Sequence, residues 1–479
     1  MYTRAPGLMA VFVLIALSAF YIQLHYVLLS DPDTWWHIKT GQDIITNLRV
    51  PVTDNYSYTY AGHPWIAKEW LSQVLLAAVY NVGGWNGVLL LTAVATAAAP
   101  ALLGFEFSKS VRPLFAGIAA LLIGLFIVPV VIARPQVFTF AIAVVFTTSL
   151  FRAAESKKAP NWWFLLLIAL WTNLHGSFTL SFVIAGFAFL HFCESTRLDN
   201  PSLTLRWLIF LALCPVASLF NPYGFQPLLI NLGFVAGLPV MDLITEWQPF
   251  NAAAAPLVEF GIMLVLGILI GTGTRISVSK TLFILFTFHM MLIHLRFIYV
   301  FFLLVPVIAV REIGSQNSFL SHWKPLFQPM FGRLLNRFHW PILAAAIAAS
   351  FAVFFITAGS GPFAPPPERQ IAGALAYAKS HALTGPVFNS YDVGGPLILN
   401  DIKTFIDGRA EQIFLGNFMT NYIASGKPGG ANVLSSILDT YKIKWAVFVP
   451  NDRRKDFMME MPHWKMTYSD DYATIFETF

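Results

Sequence analysis

Long apolar runs return along this chain from end to end, divided by short polar stretches, and that pattern points to a bundle of membrane-spanning helices. A backbone buried in lipid must satisfy its own hydrogen bonds, and continuous apolar runs do so as helices. The runs are Leu8–Leu29, Trp85–Phe107, Leu114–Ile132, Val137–Phe151, Trp162–Leu174, Phe178–Cys193, Trp207–Phe220, Leu257–Ile270, Leu282–Ile293, Phe297–Val310 and Pro341–Ile356. They predict about eleven transmembrane helices, a number blurred by runs shorter than the roughly 20 residues of a perpendicular span. Composition agrees: 57% of residues are hydrophobic and 11% charged, with a mean hydropathy of +0.64, whereas soluble domains carry about 25% charged residues.

Basic residues set the expected orientation. Arg4, Lys109 with Arg112, Arg152 with Lys157 and Lys158, Arg197 with Arg206, Arg275 with Lys280, and Arg311 with Lys324, Arg333 and Arg337 all fall on one side. The positive-inside rule makes that side cytoplasmic. The first run is long enough to span and no small-residue cleavage site precedes Asp31, so it reads as a retained span and not a signal peptide. An odd number of spans then puts the N-terminus in the cytoplasm and the chain beyond Ala358 outside. The net charge of +5 is therefore topological, and no nucleic-acid partner is expected. Cys193 and Cys214 lie in or beside apolar runs, which predicts neither a disulfide nor a zinc site.

The same orientation carries polar residues from separate junctions to the outer surface. They are the loop from Asp31 to Lys68, Arg134 in ARPQ, His175 in NLHG, the NPYG turn at 221–224, Asp242, Glu246, and Arg296 in HLRF. Arg134 and Arg296 read either as snorkelling anchors or as cations holding an anion. At a membrane surface that anion is a lipid phosphate, for which an arginine fork is suited. His175 reads as a third member of that set or as an interfacial histidine with no role.

The densest polar stretch is DPDTWWHIKTG, Asp31 to Gly41, directly after the first run. In an extended conformation Asp31 and Asp33 point to one side, placed to share a cation or to divide the roles of general base and electrostatic partner. The alternative is a helix cap, with Asp33 or Thr34 starting a helix that runs to about Asn47. Further on, Asp54, Asn55, Ser57 and Gly62 supply turn chemistry, and Tyr56, Tyr58 and Tyr60 alternate as a strand does. Ala67 to Tyr80 has a helical, amphipathic pattern.

The order of an acidic pair after the first span, a short helix, HPW, KEWLSQ and an apolar hairpin resembles the first periplasmic loop of the GT-C glycosyltransferase superfamily. It is most similar to bacterial membrane proteins related to protein O-mannosyltransferases and aminoarabinose transferases. Asp31 and Asp33 match the acidic pair, while Lys68, Glu69 and Trp70 occupy a second stretch that is proline-rich in those relatives. Pro32 displaces the second acidic residue and KEW replaces the double proline; the match covers roughly the first hundred residues. The resemblance implies a GT-C-like membrane glycosyltransferase of the bacterial inner membrane, moving a sugar from a polyprenyl-phosphate donor to an extracytoplasmic glycan, lipid or protein. Expected catalytic residues are Asp31, Asp33 and Glu69. Lys68, Arg134, His175 and Arg296 are expected at the donor phosphate, and Trp35, His37, His63 and Asp54 at the acceptor or substrate. No cofactor is required and no metal ligand assigned, although the aspartate pair is able to take a divalent metal.

Residues 1–358 thus form the expected membrane domain, with a first outer loop at 30–84. A stiff proline-rich linker follows at 359–370, and 371–479 form an extracytoplasmic α/β domain. The tail's expected elements are helices near Ile371–His381 and Asn432–Tyr441, and strands near Pro386–Asn389, Thr404–Ile406, Trp445–Val449, Met466 and Ala473. Its polar turns are VGGPL at 393–397 and IDGRAEQ at 406–412, in which Asp407, Arg409 and Glu411 read as an acceptor contact, or as a buried salt bridge or strand-end turn. Two other function classes fit a polytopic chain. A lipid-linked-glycan flippase would place its polar residues at the midplane in repeated broken helices, which this sequence does not show. A non-catalytic scaffold for envelope polysaccharide assembly would tolerate asparagine at both Asp31 and Asp33.

Overall fold

The structure, a computed structural model, describes residues 5–235, 245–317, 320 and 363–479. Asp242, Lys324, Arg333, Arg337, the apolar run at Pro341–Ile356 and the start of the proline-rich linker lie outside the described residues. Every other apolar run is helical. In chain order the helices are α1 (Ala5–Gln23), α2 (His25–Leu28), α3 (Asp33–Asn47), α4 (Trp70–Phe107), α5 (Pro113–Phe126), α6 (Val137–Glu155) and α7 (Trp163–Leu174). Then come α8 (Leu180–Thr196), α9 (Pro201–Ala217), α10 (Gln226–Val235), α11 (Pro256–Gly271), α12 (Val278–Ile293) and α13 (Ile298–Gln316). Among the described residues five segments are long and apolar enough to cross a membrane, those at Pro6–Gln23, Trp70–Phe107, Val137–Glu155, Gly176–Thr196 and Leu295–Gln316. Proline opens α5, α9 and α11, where its missing N–H is no loss.

The bundle is built around α13. Ile298 to Val305 are all buried, as expected of a helix apolar on every side, and α4, α6 and α12 pack on it. At one end of the bundle ion pairs brace the helix termini. Lys280, fully buried, lies 2.7 Å from Glu155 and also pairs with Glu312, while Arg152 meets Glu106 at 2.5 Å. These are the ends carrying the basic clusters, and the junctions at Asp31, Arg134, His175 and Arg296 lie at the opposite end.

At that opposite end α4 departs from the sequence expectation. The amphipathic stretch and the following span are one element beginning at Trp70 and bent at Gly84, whose φ of 56° is open to glycine at little cost. Beyond the bend, a Cβ on Gly87 would lie 2.3 Å from the Val79 carbonyl oxygen, so glycine permits the tight return. The first part of α4 packs on α3 with equal closeness: a Cβ on Gly41 would sit 2.0 Å from the Gln73 carbonyl oxygen.

The tail is a four-stranded sheet of order β1-β2-β4-β3, flanked by helices. β1 (Val387–Asn389) runs parallel to β2 (Trp445–Phe448); β4 (Thr474–Thr478) is antiparallel to β2 and to β3 (Trp464–Ser469). Two expected strands are absent from the sheet. Thr404 forms a single bridge with Ser57, and the rest of Tyr56 to Tyr60 form bends in place of a strand. The VGGPL turn is the start of a helix, Gly394–Leu399. The first loop and the tail bury one shared core, in which Trp36, Tyr56, Trp65 and Ile66 pack with Phe388, Phe405, Ile406 and Phe414.

Gly41→Ala forces α3 from α4 and is expected to cost about 1–3 kcal/mol, read as a lower midpoint of thermal unfolding. Gly186→Ala, in α8 with no atom within 4 Å of the added carbon, leaves the midpoint unchanged or slightly raised.

Candidate active site

The turn before α6 supplies the central cation. Pro135 disfavours helical geometry for the residue before it, and Ala133 is pinned to the end of the first helical segment. Its N–H donates to the Leu28 carbonyl at 2.7 Å, and its carbonyl accepts from the Thr34 hydroxyl at 2.9 Å. Arg134 therefore projects onto the start of α3. Its Nε and Nη2 donate to Asp31 at 2.6 and 2.7 Å, Nη2 also donates to Asp33 Oδ2 at 2.5 Å, and Nη1 donates to Glu246. The two aspartates reach one guanidinium without an extended backbone: Pro32 has helical φ and ψ, and Asp33 begins α3. Asp31 has 2% of its side chain exposed against 15% for Asp33. Burial raises the Asp33 carboxyl above its usual range; Arg134 opposes this, and the Asp31 and Glu246 charges add to it.

Beside this cluster lies Glu69, just ahead of α4. His175 Nδ1 accepts from the Ser177 N–H at 3.1 Å, so its proton sits on Nε2, 3.4 Å from Glu69 Oε1. His37 Nε2 is 3.9 Å from Glu69 Oε2, and the Gly176 N–H faces Oε1 at 3.5 Å. Burial holds both imidazoles well below their ordinary pKa, helped by Arg134 and Lys68 around His37 and by Arg296 and Lys68 around His175. Burial also pushes Glu69 up to about 7, against the pull of Lys68. Arg296 lies over the Trp247 ring at 4.5 Å. That ring is set by the Trp247 carbonyl, which is 2.8 Å from His294 Nδ1.

The tail closes the site. Lys68 Nζ lies 2.5 Å from Glu411 Oε1. A Cβ on Gly395 would meet the Pro32 carbonyl oxygen at 2.0 Å, and one on Gly408 would meet Asp33 Oδ1 at 1.7 Å. Glycine at both places is what lets the tail approach so closely. Tyr391, also from the tail, stays protonated, raised by burial and by the charges of Asp33 and Asp407.

Thus the four residues expected at a donor phosphate, Lys68, Arg134, His175 and Arg296, meet at one place with Asp31, Asp33, Glu69 and His37. Three other expected residues do not join them in contact. Asp54 is fully buried and accepts from Arg409 at 2.6 Å, while Arg409 Nε and Nη2 each donate to Asp407 at 2.7 Å. This is a structural joint between loop and tail, which replaces the expected substrate contact of Asp54 and decides for the salt bridge at Asp407 and Arg409. His63 is exposed, packed edge-on to Tyr60. Trp35 is buried against Trp85. Glu246 carried no assigned role from sequence, although an acidic residue beside Trp247 at an outer junction was a signal for it, and Glu411 was read only as an acceptor contact or part of a structural turn.

An acidic pair raises the question of a divalent metal. Both Asp31 oxygens and one of Asp33 already accept from Arg134, whose guanidinium occupies the point where the carboxylates converge. Among the described residues no group of three or more His, Cys, Asp or Glu is arranged to hold a metal ion. The donor set does not fit a divalent cation with that guanidinium in place.

No family model matches the sequence, and no curated protein does. Among solved structures the chain is similar to the crystal structure of the Archaeoglobus fulgidus oligosaccharyltransferase in the apo form. The match has a TM-score of 0.50 at 13% identity, covering 91% of this chain and 69% of the other. At that identity the likeness is one of fold.

Two outcomes test this geometry. Arg409→Met leaves Asp54 and Asp407 buried without their partner and is expected to cost about 3–5 kcal/mol of stability, measured by thermal or denaturant unfolding. Infrared difference spectra of wild type against Glu69→Gln are expected to show a protonated carboxyl band that disappears as pH rises through about 7.

Proposed function

We propose that this chain, whose fold is similar to that of an oligosaccharyltransferase, is a GT-C-type membrane glycosyltransferase. It transfers a sugar from a polyprenyl-phosphate donor to an acceptor hydroxyl of a glycan, lipid or protein, at the outer face of a bacterial inner membrane. One observation carries the reading: buried carboxylates and cations from junctions far apart in sequence meet at one end of an apolar bundle.

Asp33 is the proposed base. Asp31 has both oxygens committed to Arg134, while Asp33 gives up one, and its side chain is the more exposed of the two. The acceptor O–H proton passes to the Asp33 carboxylate as the acceptor oxygen bonds to the anomeric carbon. The bond from that carbon to the phosphate oxygen breaks, and its electron pair stays on the phosphate, where Lys68 and Arg296 neutralise it. Asp31 and Glu246 hold Arg134, and Glu69 sits in reserve as a second proton acceptor between His37 and His175. A raised carboxyl pKa makes Asp33 a stronger base once ionised, at the expense of a smaller ionised fraction at neutral pH.

Transfer of radiolabelled sugar from polyprenyl-phosphate donors in nanodiscs tests this. Asp33→Asn is expected to lower turnover about 10²–10⁴-fold with donor binding kept, and equal turnover would remove Asp33 from the chemistry. Wild-type turnover rises with pH as Asp33 loses its proton. Glu246→Gln removes a charge that raises the Asp33 carboxyl, so the rising limb moves to lower pH.

A further inference from the structure

One of the tail segments that reach the candidate active site is a strap, residues 404–412, fixed along its length to the first loop. At its start Thr404 N–H donates to the Tyr56 carbonyl at 3.0 Å, and the Thr59 hydroxyl donates to the Phe405 carbonyl at 2.8 Å. In the middle Arg409 is locked between Asp407 and Asp54. At its end Gln412 exchanges two hydrogen bonds with the Ile66 backbone, at 3.2 and 3.1 Å.

Glu411 is the member of this strap whose charged arm enters the site. Its Oε1 lies 2.5 Å from Lys68 Nζ, and 27% of its side chain is exposed against 9% of the lysine. Lys68, and then Arg296 and Arg134, hold the carboxyl below its usual range although burial alone would raise it. The backbone bonds of the strap do not use this carboxylate, so its arm is free to swing away while the strap stays. A carboxylate paired with Lys68 occupies the place of an anionic ligand, and a phosphate makes charge-assisted bonds to the same lysine.

We infer that Glu411 is a resident counter-anion of Lys68 that a phosphate group must displace, so that this tail side chain sets how tightly the site holds phosphate-bearing ligands. The inference rests on the reading of the site as one that takes a phosphate-linked lipid. It makes Glu411 a positioning and specificity residue. With Lys68 already paired, an entering phosphate gains only the difference between the two pairings, and it also meets the repulsion of the displaced carboxylate. Donor and lipid-phosphate product are both held less tightly, and the product leaves more readily.

The test is direct binding of sugar-free undecaprenyl phosphate to the full chain in nanodiscs, with undecaprenol as the uncharged control and inorganic phosphate as a soluble competitor. Glu411→Gln is expected to tighten undecaprenyl phosphate binding about tenfold, the effect of one favourable charge contact, and to leave undecaprenol unchanged. A gain for inorganic phosphate as well means that the site reads the phosphate group itself; a gain for the lipid alone means that the membrane must present it. Either supports the inference. In a Lys68→Gln background the gain is expected to vanish, and a gain of full size there would overturn the assignment. Unchanged or weaker binding, or an equal gain for undecaprenol, also overturns it. Glu411→Asp, whose shorter arm draws the carboxylate back, gives a smaller gain and serves if the glutamine variant does not fold. If wild type transfers sugar while Glu411→Gln gains no affinity, this inference alone falls. If no sugar is transferred yet the affinity gain appears, glycosyl transfer falls and the counter-anion stands.

Discussion

One guanidinium holds the polar end of this bundle together. Arg134 gathers Asp31 and Asp33 from the first junction and Glu246 from the short turn before α11. Each of these carboxylates is costly to bury alone, and a shared arginine fork satisfies all of them at once. The arginine is itself positioned by Pro135 and by the bonds of Ala133 to Leu28 and Thr34. The geometry around Asp33 therefore follows from a buried charge cluster more than from the capping preferences of α3.

The two ends of the bundle handle charge differently. At the basic end Lys280, Arg152 and Arg311 are matched to Glu155, Glu312 and Glu106 in pairs that brace neighbouring helices. At the other end, among the described residues, the carboxylates of Asp31, Asp33, Glu69, Glu246 and Glu411 outnumber the cations Arg134, Lys68 and Arg296. A buried excess of negative charge is relieved by holding protons, and Asp33 and Glu69 are the groups raised by burial. Neutral histidines around Glu69 soften this environment without adding charge. One end is a brace, and the other sets carboxylates raised by burial beside cations.

The tail is packed against that cluster. It shares a hydrophobic core with the first loop, is locked to it by Arg409 and Asp54, and places Gly408 and Glu411 against Asp33 and Lys68. A common aromatic core and a fully buried ion pair hold the tail against the site.

Apolar runs were legible in the sequence because lipid imposes a one-dimensional requirement: a span must be continuous and apolar, so its residues announce it. The helix from Asp33 to Asn47, most tail elements and the polar junctions were readable for similarly local reasons. The bend of α4 at Gly84 was not, because a lone glycine inside an apolar run carries no mark of the turn it permits. Nor were Thr404–Ile406 and Tyr56–Tyr60, whose β-like residues pack in a loop–tail core instead of a sheet. Sequence alone determined that this chain is a helical membrane protein with its polar residues at helix junctions. Which of those residues meet was decided by the tertiary structure. Asp54 went to a buried joint and Glu411 to the site because ion pairing depends on distance through space, and residues 68 and 411 are neighbours only after folding.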